Sequence, residues 1–306
     1  MPRSGFVFNR MFAVALLAAS VLLNSNCGSS SSSSSQPTGA LSGNWQFNLV
    51  KNYPFAQEQL SASGFLQQSN ANLSGSVEGP TTTSVNGTVT CGGVGPLTGS
   101  ITNQNVAFTL DLGGTGINFS GTVSSDEQSM SGTYQAIGGA CYSYATSGTW
   151  TASLIPPLNG SFTGTLDSNY MEALSGSTNP VPVSVSGSFA QTTNAGSSNA
   201  TLTGTITAVG YPCFTTASLT GTISGQNIYL SVYGYNGVQI GTIGQIEPIG
   251  STPAPAILTV SSTGMVVTGS NQSGFSISLG NPCPAVINSF GESQSTDFGD
   301  FTLTVQ

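Results

Sequence analysis

Leu202-Thr203-Gly204-Thr205-Ile206 and Leu219-Thr220-Gly221-Thr222-Ile223 spell one five-residue phrase: apolar, Ser/Thr/Asn, Gly, small polar, apolar. The phrase occurs eleven times in the 306 residues, among them Leu73–Val77, Val85–Val89, Leu97–Ile101 and Phe119–Val123. Side chains alternate faces along a strand, so each copy puts apolar–Gly–apolar on one face and two small polar residues on the other. That is half-buried β-structure with a glycine recurring on the inward face. Turn signals fall between the phrases at roughly 8–12-residue spacing, as expected for an all-β fold. They are Asn103-Gln104, Gly113-Gly114, Ser125-Asp126-Glu127, Gly225-Gln226 and Asn236-Gly237. No segment sustains a helical period; Phe55–Leu60 and Tyr170–Leu174 can each hold a single turn. The expected fold is an antiparallel β-meander closed into small barrels, with β-sandwiches as the alternative. The inward glycines favour barrels, because they permit sharp coiling and leave room for large residues of the opposite wall.

The meander is duplicated. Cys91–Val106 aligns without a gap onto Cys213–Ile228, Gly64–Gln68 onto Gly187–Gln191, and Gly43-Asn44-Trp45 onto Gly160-Ser161-Phe162. The expected organisation is a first barrel over 41–154, a stiff connector at 155–157 (Ile155-Pro156-Pro157) and a second barrel over 158–306. Gly-x-Trp opening a β-meander resembles the first strand of lipocalin- and avidin-like barrels. Lipocalins pack an arginine from a late strand on that tryptophan, and no arginine follows Arg10 here.

Arg3 and Arg10 precede an apolar run, Met11–Leu23, shorter than the roughly 20 residues that span a bilayer. Asn26-Cys27-Gly28 and seven serines, Ser29–Ser35, follow. This resembles a bacterial lipoprotein leader, although such leaders prefer Gly, Ala or Ser where Asn26 stands and Leu where Asn24 stands. The resemblance implies a signal over 1–27, lipidation at Cys27, a Ser-rich tether over 28–40 and anchoring in the cell envelope, at the outer membrane. Four cysteines then remain, and four allow three pairings. The duplication favours Cys91–Cys141 and Cys213–Cys283, one bridge in each copy, in an oxidising compartment.

Charge restricts function. Charged residues are 5% of the chain and histidine is absent; beyond the leader, eleven carboxylates face the single base Lys51, a formal charge near −10. Nucleic acid and anionic lipid both require clustered cations, and none exist to cluster. A His-dependent triad is impossible. Lys51 is expected to be a solvated loop lysine. No cofactor motif is present, and the cysteine spacing with no histidine does not suit a metal. Asp126-Glu127 are expected in a solvated turn, and so are Asp297 and Asp300, which could otherwise face one another near the C-terminus or bind Ca²⁺ through oxygen ligands. The aromatic placement is more informative. Tyr229, Tyr233 and Tyr235 share the outward face of one strand, and their counterparts in the first copy are Ala107, Asp111 and Gly113. The first copy has its own group in Tyr134, Tyr142, Tyr144 and Trp150. Tyrosines offer area and a hydroxyl at low entropy cost. Tyr229, Tyr233, Tyr235, Tyr142, Tyr144 and Trp45 are therefore the candidate ligand contacts.

The expected function is a non-catalytic, lipid-anchored binding module outside the cytoplasm, for a neutral glycan or small molecule or for a protein of the envelope. The alternative is a purely structural or adhesive envelope component, and a glycoside hydrolase using a carboxylate pair ranks third. A cavity lined by Trp45, Phe47 or the tyrosines would favour binding, and solid interiors the structural role.

Overall fold

In β5 (Asn105–Leu112) the sequence Asn-Val-Ala-Phe-Thr-Leu-Asp-Leu buries Val106, Phe108, Leu110 and Leu112 and turns the residues between them outward. The same two-residue period runs through β1 (Gly43–Lys51), β2 (Gln59–Ser69), β3 (Asn72–Thr83), β4 (Val89–Thr102), β6 (Thr115–Val123), β7 (Ser129–Ile137) and β8 (Ser147–Ile155). These eight strands pair antiparallel in sequence order, and β8 returns to β1 with Phe47 opposite Ala152, closing the first barrel. The computed structural model describes residues 41–52, 59–83, 89–137, 147–194, 196–244, 254–270, 273–279, 283, 286–287 and 293–306, with backbone alone for 80–83 and 89–91. The leader with Cys27, the tether, Cys141, Tyr142, Tyr144 and the side chain of Cys91 lie outside the described residues. So does the Cys91–Cys141 pairing.

The second barrel begins the same way with β9 (Gly160–Ser168), β10 (Val181–Thr193), β11 (Ala200–Ala208), β12 (Thr216–Ser224) and β13 (Asn227–Tyr233). Its next three strands are each broken in two. The sixth position is filled by β14 (Gln239–Ile243) against Leu230–Tyr233 and by β15 (Ala256–Ser261) against Asn227 and Ile228. The chain leaves this strand at Gly244 (φ +74°), where a Cβ would stand 2.5 Å from the Ala256 nitrogen and 2.6 Å from the Ile228 oxygen. The seventh position joins β16 (Gly264–Gly269) and β17 (Phe275–Ser278). A two-stranded hairpin, β18 (Val286–Ile287) and β19 (Ser293–Gln294), follows in the connection. The eighth position joins β20 (Thr296–Gly299) and β21 (Phe301–Val305). β21 returns to β9 with Leu303 opposite Gly164, so this barrel too has eight strand positions. One short helix, α1 (Asn169–Ser175), lies between β9 and β10. It falls where the Tyr170–Leu174 turn was expected; of Phe55–Leu60, the described residues Gln59 and Leu60 belong to β2.

The inward glycines have a specific partner. Trp45 stands opposite Gly64, Phe108 opposite Gly99, Trp150 opposite Gly132 and Tyr134 opposite Gly148. In the second barrel Phe162 faces Gly187, Phe189 faces Gly204, Phe301 faces Gly269 and Phe275 faces Gly299. At these eight positions the aromatic residue opposite the glycine comes from the neighbouring strand in register, where the sequence reading expected large residues of the opposite wall. A Cβ on Gly148 or Gly187 would stand 2.6 Å from the ring of Tyr134 or Phe162. Trp150 Nε1 donates to the carbonyls of Ser120 (3.2 Å) and Thr133 (3.1 Å), which flank Gly121 and Gly132. The void among Phe47, Val77, Leu97, Phe108, Leu110 and Phe119 inside the first barrel is about 10 Å³, too small for a ligand.

The barrels meet end to side. The β12–β13 hairpin tip docks on the outer face of β1 and β2. Asn44 clamps the Gly225 backbone, its Nδ2 donating to the Gly225 carbonyl (2.9 Å) and its Oδ1 accepting from the Gly225 nitrogen (2.7 Å). Gln46 Oε1 accepts from the Gln226 nitrogen at 3.0 Å. Ser224 Oγ gives its proton to the Ser198 carbonyl (2.8 Å), so Ser63 Oγ is the donor in the 2.8 Å Ser63–Ser224 pair. Phe65, on the outer face of the first barrel, packs in the core of the second together with Ile155 and Leu158. A cleft of about 460 Å³ remains beside this junction, between Gln67 and Ser74 on one side and Pro157, Thr193 and Asn194 on the other.

Candidate functional site

Three connections of the second barrel meet: the one between β9 and β10, the one between β11 and β12, and the one after β17. Ser168 caps α1, its Oγ accepting from the Met171 nitrogen at 2.9 Å, and Gly176 ends the helix in the left-handed region at φ +69°. The β11–β12 connection is closed by the Ala208 nitrogen donating to the Thr215 carbonyl (2.9 Å). A disulfide, Cys213–Cys283, ties it to the connection after β17. The pairing is the one the duplication favours.

Asp297 is buried on the inner face of β20 and holds three of these elements at once. Its carboxylate accepts from Ser168 Oγ (2.7 Å), from the Tyr170 nitrogen (2.9 Å) and from the Tyr211 hydroxyl. Burial pushes the Asp297 carboxyl above the usual carboxylate range, against the opposing pull of these donors. Burial, reinforced by the Asp297 charge, likewise pushes the Tyr211 hydroxyl far above the usual phenol range. Asp297 thus serves as a structural tie. The solvated turn expected for Asp297 is not what forms, because the residue is buried and its carboxylate is spent on Ser168, Tyr170 and Tyr211.

Beside this plug lies an open pocket of about 660 Å³. One wall is the segment after Tyr211, with Pro212, Phe214 and Thr216; the Phe214 ring meets Tyr211 edge-on at 5.2 Å. The other wall is the β13–β14 turn, with Tyr235, Asn236 and Val238. That turn is braced by Gly234 N donating to Val238 O (2.9 Å), Gly237 N to Gly234 O (2.9 Å) and Val238 N to Asn236 Oδ1 (3.1 Å). Tyr235 is 100% exposed and Val238 56% exposed, whereas Phe214 is 6% exposed. No charged side chain lines the pocket among the described residues.

The candidate residues are dispersed. Tyr235 lines the pocket. Tyr233 is half-buried in the wall, opposite Ser218 and Gln239. Tyr229 lies low on β13, near enough to Glu78 of the first barrel for that charge, after burial, to push its hydroxyl upward. Trp45 is 0% exposed and donates Nε1 to the Leu41 carbonyl at 2.9 Å, which places it wholly inside the first barrel. Lys51, expected to be a solvated loop lysine, instead ends β1 and is buried at 8% exposure. Asp126 and Glu127 occupy the β6–β7 turn, where Ser124 Oγ donates to Asp126 Oδ1 (2.5 Å). That bond holds the carboxyl below its ordinary value.

Phe214 and Val238 escaped the sequence reading, although the alignment carried a signal. The counterpart of Phe214 in the first copy is Gly92, and the counterpart of the Gly234–Val238 turn is Gly113-Gly114. There a Cβ on Gly113 would stand 3.6 Å from the Gly92 oxygen, so no aromatic walls separate. Comparison with protein-family models, with curated proteins and with solved structures finds no match to this chain.

Proposed function

We propose that this chain is an exported, lipid-anchored, non-catalytic binding protein whose site is the rim pocket of the second barrel, taking an uncharged ligand. The observation that carries the reading is the pocket's divergence from the other copy: one wall carries Phe214 where the first copy has Gly92, and the other is the Gly234–Val238 turn where the first copy has Gly113-Gly114. A neutral lining matches the ligand in charge, since buried or half-buried contacts to an ion need a counter-charge. Ligand sites are concave, mostly apolar, and carry a few placed polar groups, a description that Phe214, Tyr235, Val238, Thr216 and Asn236 fit. Arg3, Arg10, the Met11–Leu23 run and Cys27 with its serine tether support export and anchoring.

The small void inside the first barrel supports a structural role for that half, as a spacer joined rigidly to the binding half. A hydrolytic reading has no support at the pocket, whose lining carries no carboxylate among the described residues. Two experiments test the proposal. Cell fractionation with metabolic fatty-acid labelling should show label in the wild type and none in Cys27→Ser; an unlabelled wild type would refute anchoring. Fragment screening by NMR should place uncharged hits at Pro212–Thr216 and Gly234–Ile240; hits confined to other surfaces would refute the site.

A further inference from the structure

We infer that the occupant of the rim pocket is a pyranose unit of a neutral carbohydrate, an inference that rests on the binding reading above. The pocket is open, and an apolar small molecule gains affinity by full enclosure, with most of its surface removed from water. A pyranose has no such requirement. It presents one face of C–H groups and a rim of hydroxyls, and it binds where an aromatic face stands beside neutral donors and acceptors.

The two walls supply that pair. Tyr235 is held out in solvent by a turn whose backbone bonds leave it little freedom, and no neighbour covers its ring. Phe214 and Val238 add apolar area. The Thr215 hydroxyl can donate and accept, and the Thr216 hydroxyl, paired with Thr207 Oγ1 at 3.4 Å, keeps further capacity. The Asn236 carboxamide spends its oxygen on the Val238 nitrogen and keeps its NH₂ group for a ligand. Among the described residues nothing in the lining would compensate a phosphate, carboxylate or ammonium group, which directs the choice to uncharged sugars. The walls are also fixed in advance, one by Cys213–Cys283 and the Tyr211–Asp297 bond, the other by the Gly234–Val238 turn. A rigid site loses little entropy on binding a ligand that offers few strong contacts.

The test is a set of NMR titrations of the full mature chain with maltotriose, cellotriose, chitotriose and mannotriose. Glucuronic acid serves as a charged control and benzyl alcohol as an apolar one. The expected result is shifts at Pro212–Thr216 and Gly234–Ile240 with at least one neutral trisaccharide and none with glucuronic acid. Tyr235→Ala, fully exposed and so without consequence for folding, should weaken that binding about tenfold, the value of one aromatic stacking contact. Shifts at these residues with benzyl alcohol and with no sugar would overturn the carbohydrate assignment and leave the pocket reading standing. No shift there with any probe would overturn both.

Discussion

Gly225→Ala should uncouple the two barrels, and the molecule contains its own control. Gly225 (φ +56°) occupies the left-handed position of the β12–β13 turn, and Asn103 (φ +56°) occupies the same position in the exposed β4–β5 turn. Alanine in that conformation costs about 1 kcal/mol wherever it stands. At Gly225 the added Cβ would also overlap Gln46 Oε1 and stand 2.6 Å from Ser63 Cβ. The hairpin tip must then withdraw, stranding the buried amide of Asn44 and the backbone groups it clamps. Unpaired buried polar groups cost about 1–3 kcal/mol each, so the total penalty is about 3–5 kcal/mol for Gly225→Ala against about 1 kcal/mol for Asn103→Ala. Urea titration measures both. Trp45 and Trp150 belong to the first barrel, so tryptophan fluorescence follows that barrel alone and far-UV circular dichroism follows both. The two probes should coincide in the wild type and in Asn103→Ala and separate in Gly225→Ala. Equal penalties with coincident probes in both variants would refute the argument that the junction unites the barrels.

The raised carboxyl of Asp297 makes the folded state hold more protons than the unfolded state between the unfolded value near 4 and the folded value. Its contribution to stability is full below that window and lost as pH rises through it. Asp297→Asn should therefore flatten the fall of stability across mildly acidic pH; an unchanged slope in thermal melts would refute this. Cys213→Ser should lower stability by about 4 kcal/mol in the chain-entropy picture, the bridge spanning 70 residues; a denaturation midpoint equal to the wild type's would contradict it. Beyond Arg10 trypsin has one site, Lys51, which is 8% exposed. The folded protein should resist the enzyme and the urea-unfolded protein should give two fragments, and rapid cleavage of the folded form would refute the burial of Lys51.

Strands, hairpins and duplication were legible because each follows from local alternation. Leu202–Ile206 and its relatives declare two faces without reference to the rest of the chain, and the matched cysteines declare the repeat. What stayed hidden was set by partners distant in sequence. Asn44, Gln46 and Ser63 are polar and face outward, which alone reads as solvated; they are buried because another barrel sits on them. Phe65 was the available signal, a large aromatic on an outward position between Gly64 and Leu66. Asp297 read as an exposed acid, since nothing adjacent announces that Ser168 and Tyr211 converge on it. At the pocket, Tyr235 was legible as an outward tyrosine, whereas Phe214 and Val238 needed the two copies to be compared segment by segment.

The pairing of eight inward rings with a glycine answers a difficulty that so repetitive a sequence creates. Strands written as Leu-Thr-Gly-Thr-Ile over and over could slide past one another by two residues and keep every apolar group inside. Such a slide would bring Phe162 off Gly187 and onto Val185 or Phe189, and Trp150 off Gly132 and onto Met130 or Tyr134. The ring would then meet a bulky neighbour where the fold leaves space only for a hydrogen, and overpacking of that kind is destabilising. The glycines act as notches that admit one alignment of the strand pairs in which a ring faces them, so a chain of near-identical phrases still folds in a single register.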